Sequence, residues 1–73
     1  MTYQLDGEWE LRAKTSKAIL IVEPGIEEAE EEDGLNRFWV PRSVLKGMDM
    51  ADIGDVGTVE VDDWWAKKNG FDD

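Results

Sequence analysis

The sequence predicts a mainly β fold of the α+β kind: a small antiparallel sheet of four to five strands, open or curled into a barrel, with one short C-terminal helix. Three observations carry this reading. Residues 8–14 alternate between apolar and polar side chains, residues 18–22 form an unbroken apolar run, and residues 62–70 carry the signals of a short capped helix.

From Tyr3 to Ala13 the odd positions are Tyr3, Leu5, Gly7, Trp9, Leu11 and Ala13, with polar residues between them. Gly7 follows Asp6 and can bend or bulge this segment, which places the firm strand at Glu8 to Lys14. Ala18-Ile19-Leu20-Ile21-Val22 is apolar on both faces and too short for a buried helix. It reads as a central, well-covered strand forming a hairpin with the first. Pro24-Gly25 ends that strand in a turn.

The acid run that follows lacks an apolar stripe beyond Ile26 and Ala29, and its like charges repel at helical spacing, so a mobile loop is expected. Arg37 to Val40 is a short strand that Pro41 ends or confines to an edge. Ser43 to Gly47 reads as one helical turn, capped by Ser43 and stopped by Gly47. Gly57 to Val61 alternates as a last strand. Asp62 or Asp63 can cap a helix over Trp64 to Asn69, with Gly70 at its left-handed stop and lysines in the last turn. Trp9, Trp64 and Ile21 are expected core residues, and Trp39 and Trp65 join them if the tryptophans serve packing alone.

With 73 residues the chain is one domain, 1–73, with an acidic loop at 26–34 and a second acidic connection at 48–56. At this size folding buries only about 60% of the unfolded surface, too little to shape a large catalytic cleft. Cysteine is absent, so no disulfide or thiolate metal site supplements the core, and a reducing compartment is the natural setting. The N-terminal residues lack a secretory leader's pattern and no run is long enough to span a bilayer; a cytoplasmic protein, free of the membrane, is expected.

Function can be narrowed by exclusion. Histidine and cysteine are both missing, which removes imidazole bases, Ser-His-Asp arrangements and thiolate nucleophiles, so no enzyme and no catalytic residues are expected. Asp49, Asp52 and Asp55 are spaced by three, and the acid run has none of the ligand order of a calcium loop, so neither a metal nor a cofactor is expected.

The net charge of −10 is distributed in blocks: residues 23–33 carry −7, 34–47 carry +3 and 48–63 carry −6. Such single-sign density steers association with basic surfaces. Glu27, Glu28, Glu30, Glu31, Glu32 and Asp33, with Asp49, Asp52 and Asp55 as a second contact, are therefore the candidate partner-binding residues. The alternative is the basic and aromatic strand, where Arg37, Trp39 and Arg42 offer stacking and cation contacts to a single strand of nucleic acid. Long-range repulsion of a polyanion by this chain weighs against direct nucleic-acid binding. Self-association is compatible with either reading.

The motifs KAILIV (17–22), FWVPRS (38–43), TVEV (58–61) and WWAKKNGF (64–71) occur here in an order and spacing that resembles a group of small phage- and prophage-encoded proteins. The resemblance spans residues 9–71 and implies an origin, not a mechanism. The acid run at 27–33 and the 48–55 segment depart from the shared layout, and a function added to it would sit there. Together with the charge blocks, this gives the expected function: a phage-derived acidic binding protein. It would inhibit a host defence or nucleic-acid-processing complex, as an anti-CRISPR-type charge mimic does, by covering its basic surface in the host cytoplasm. The alternative is a phage DNA-metabolism accessory that binds nucleic acid, or a replication or recombination protein, through Arg37–Arg42.

Overall fold

The structure, a computed structural model, describes residues 1–71. Among these residues the order is β1 (Thr2–Gln4), β2 (Trp9–Lys14), β3 (Ala18–Val22), a single 3₁₀ turn (Glu28–Glu30), β4 (Arg37–Pro41), β5 (Leu45–Met48), β6 (Val56–Gly57), β7 (Val59–Asp62) and α1 (Asp63–Lys68). The mainly β fold with a short C-terminal helix is as expected. Its seven strands divide between two antiparallel sheets, one ordered β1-β7-β5 and the other β4-β3-β2-β6.

The apolar run at 18–22 is the central strand of the larger sheet, paired with β2 on one side and β4 on the other. Because side chains alternate along a strand, Ile19 and Ile21 enter the core with Leu11, Phe38 and Val40, while Leu20 and Val22 face the opposite way. Yet Leu20 and Val22 are also buried. Something must cover the outer face of this sheet, and that requirement organises the functional surface below.

The Gly57 to Val61 strand divides at Thr58, so one stretch of chain leaves the larger sheet as β6 and enters the smaller as β7. Gly57 is needed at this crossing: a Cβ there would stand 2.9 Å from the Asp49 Cβ and 3.1 Å from the Asp49 carbonyl oxygen. Val59 and Val61 on β7 close the core from the other side, with Leu5, Val44, Met50, Trp65 and Ala66. Each fully buried aliphatic side chain contributes on the order of 1.5–3 kcal/mol of hydrophobic stabilisation, which is how a chain this short holds together.

The helix ends in a Schellman motif: the Gly70 N–H donates to the Lys67 carbonyl at 3.2 Å and the Phe71 N–H to the Ala66 carbonyl at 2.8 Å. Gly70 takes φ of +83°, as that motif requires. The reversal sends Phe71 back against Phe38, Trp9 and Trp65, with ring centroids 4.6, 5.8 and 5.8 Å away. Asp62 occupies the N-cap position without a side-chain capping hydrogen bond, while Asp63 in the first turn and Lys67 and Lys68 in the last suit the helix dipole.

Three expectations are corrected. Trp64 is 56% exposed, and its neighbour Trp65, 7% exposed, is the core tryptophan of the helix. Adjacent residues on a helix point about 100° apart, so only one can face the sheet. Residues 43–47 do not form a helical turn: a turn at Arg42–Val44 leads into β5, whose Leu45 pairs with Val61 of β7. The sheet partner outweighs the Ser43 and Gly47 cap signals. The acid run is not a free loop either; it is fastened to the larger sheet.

Candidate binding surface

The outer face of the larger sheet is laid out by register. Cross-strand pairing sets Val56, Glu10, Val22 and Arg37 in one row, and Ala13, Leu20 and Trp39 in the next. A bulge at Arg12 brings its guanidinium to this face. Arg12 on β2 and Arg37 on β4 therefore stand on either side of the apolar residues of β3.

Glu31 fills the space between them. Its side chain is only 2% exposed, with Oε2 3.0 Å from Arg12 Nη2 and Oε1 3.8 Å from Arg37 Nη1. Arg12 also meets Glu10 at 3.7 Å, and Arg37 Nε lies 3.0 Å from Asp33 Oδ1. Arg12 Nε, Arg37 Nε and Glu31 Oε2 lack aligned hydrogen bonds, so the attraction here is chiefly Coulombic. Asn36 adds a directional staple: its Oδ1 accepts the Glu32 N–H at 2.7 Å and its Nδ2 donates to the Glu30 carbonyl at 3.1 Å. The six carboxylates of residues 27–33 thus resolve into different roles. Glu31 is turned inward as a latch, Asp33 pairs with Arg37, and Glu27, Glu28, Glu30 and Glu32 remain exposed to solvent.

The second acidic segment is built differently. Met50 is buried in the core, the Lys14 Nζ donates to the Ala51 carbonyl at 2.8 Å, and Asp55 closes a local turn. Its Oδ2 accepts the N–H groups of Asp52 at 3.0 Å and Ala51 at 3.2 Å. The Asp52 bond first, then the Ala51 bond and the nearby Lys14 ammonium, hold the Asp55 carboxyl below the usual carboxylate range. Asp49 and Asp52 are exposed, and the Asp49 N–H donates to the Thr58 carbonyl at 3.1 Å.

The basic strand proposed as the alternative site is an edge strand, as Pro41 requires. Trp39 is 42% exposed on the outer face, while Arg37 is taken up by Glu31 and Asp33, and the Arg42 Nε donates to the Thr15 carbonyl at 2.7 Å. Of that trio Arg37 alone is taken up by carboxylates; Trp39 and Arg42 are exposed, and Arg42 has no ion pair among the described residues.

Arg12 and Asn36, which fasten the acid loop, were not singled out from sequence. The signal was present in the two-faced apolar strand 18–22, whose outer face had to be covered by some neighbouring segment. Among the described residues no helix is long and apolar enough to cross a membrane, and no cluster of acidic side chains has the geometry to hold a metal ion. Comparison with protein-family models, curated proteins and solved structures finds no match to this chain. The surface is therefore read from its own geometry.

Proposed function

We propose that this is a phage-derived acidic binding protein that inhibits a host defence or nucleic-acid-processing complex by presenting carboxylates to its basic surface. One observation supports the reading above the others. Glu31 and Asn36 hold the acid loop against a rigid sheet, so Glu27, Glu28, Glu30 and Glu32 are displayed from a fixed base. A preorganised charge array loses less conformational entropy on binding than a flexible acidic tail. Its single sign also steers encounter with a basic partner. The phage origin rests on the motif order alone. The second reading, an accessory of phage DNA metabolism, draws on the exposed Trp39 and Arg42, but Arg37 is already paired within the protein with Glu31 and Asp33.

The test is capture from lysate of bacteria carrying a CRISPR system, with duplex DNA as competitor. The parent protein should capture a nucleic-acid-binding complex, and added duplex should displace it. Replacing Glu27, Glu28, Glu30 and Glu32 by Gln, with Glu31 kept, should preserve the melting temperature and abolish capture. Undiminished capture by that variant would overturn the proposal.

A further inference from the structure

Two open depressions adjoin at one end of the larger sheet, and they share Glu23, Pro24 and Asn36. The first, of about 580 Å³, is walled by Trp9 and Leu35 together with Asp6 and Glu8; the second, of about 350 Å³, extends it past Ile26 to Glu30. Apolar side chains and four carboxylates, Asp6, Glu8, Glu23 and Glu30, thus line the groove, and among the described residues no lysine or arginine does. Leu35 is 68% exposed on a wall of the groove, so its side chain is free to pack against an occupant.

The wall is rigid. Trp9 is fixed edge-on against Phe38 and Phe71, with centroids 5.6 and 5.8 Å away, and its indole N–H donates to the Asp6 carbonyl at 3.2 Å. The Glu23 N–H donates to the Asn36 carbonyl at 2.9 Å, which ties the two sides of the groove together. The Asn36 side chain holds the acid loop as well, so groove and loop are one construction.

We infer that this groove receives an arginine or lysine side chain of a basic protein segment, its aliphatic stem against Leu35 and Trp9 and its cationic head among Asp6, Glu8 and Glu23. Charge complementarity selects that occupant. Long basic side chains combine an apolar stem with a charged tip, and a cleft lined by one sign of charge over low-dielectric walls concentrates the opposite sign. The inference rests on the acidic-binder reading and names where a partner's basic side chain seats; it does not use Asp49, Asp52 or Asp55.

The test is a nuclear magnetic resonance titration with a tri-arginine peptide at low salt, against a tri-glycine control. The expected shifts centre on the amides of Leu35 and Asn36 and on the Trp9 indole. The combined Glu8→Gln, Glu23→Gln and Leu35→Ala variant should weaken peptide binding about tenfold, as loss of two charge partners and an apolar wall implies. Its amide spectrum reports folding independently. Shifts centred on residues 27–33 or 49–55, with the triple variant binding as the parent does, would overturn the groove and leave the wider acidic-binder reading standing. No peptide-specific shift anywhere would overturn both.

Discussion

The two acidic segments look alike in composition but are held by opposite means. Residues 27–33 are held from outside the core, by a buried carboxylate between two arginines and by the Asn36 amide. Residues 49–55 are held from inside it, by Met50 in the core and by close approach of Asp49 to Gly57 at the sheet crossing. The first attachment depends chiefly on charge, and the second on apolar burial, shape and hydrogen bonds between its backbone and β2. Acidity alone therefore says little about whether a segment is ordered; what matters is which one of its residues is spent on anchoring.

The largest expected effect lies in the second segment. Met50→Ala removes a buried side chain from the core and should cost about 2–4 kcal/mol, a large share of the stability of a domain this size. Thermal and urea melts would measure it. A loss under about 1 kcal/mol would mean the segment is not core-anchored and the contrast fails.

The first segment should respond less, and with a different dependence on conditions. Glu31→Gln leaves Arg12 and Arg37 without their shared counter-charge, at a cost of about 1–2 kcal/mol, since both guanidinium groups are near one-third exposed and partly screened. The same change at Glu28, which is exposed, should stay within about 0.5 kcal/mol. High salt should narrow the difference between parent and Glu31→Gln and leave the Met50→Ala loss in place. Equal effects of Glu28→Gln and Glu31→Gln would remove the latch from the account.

These differences also mark what the sequence could convey. Alternation and apolar runs report burial along one strand, so β2, β3 and the helix with its Gly70 stop were legible, and Pro41, read as a strand end or an edge marker, closes β4 at the edge of its sheet. The identity of the latch was not. Glu27, Glu28, Glu30, Glu31 and Glu32 are the same residue type at near-equivalent positions, and only the register that sets Arg12 and Arg37 two strands apart selects Glu31. Trp64 and Trp65 pose the same problem on α1, where the choice depends on how the helix leaves β7 and how Phe71 folds back. At Ser43–Gly47 the local helical signals were real, but pairing with β7 lay beyond any local window. The groove was illegible for a similar reason: Asp6, Glu8, Glu23 and Leu35 come together only through the hairpin and the Asn36 tie.

The smallest effect, a pH dependence, separates the two segments most sharply. Asp55 has its carboxyl lowered in the folded chain by the N–H groups of Asp52 and Ala51 and by Lys14, whereas the unfolded chain leaves it near the ordinary value of about 3.9. A lowered folded value means the unfolded chain binds the proton more readily. Asp55 therefore contributes its stabilisation in full above the ordinary value, and loses it as pH falls through that value and then through the folded one. Asp55→Asn should thus lower the melting temperature slightly at neutral pH. Parent and variant should converge as pH falls below about 4. Because Asp55 is on the surface, the difference is small and is read best as a difference between melting curves taken in parallel. If the gap between parent and variant persists unchanged at low pH, the turn at 51–55 does not depend on the ionised carboxylate, and Met50, the Gly57 crossing and the backbone bonds of Gly54 and Asp55 to Leu11 hold the segment without it.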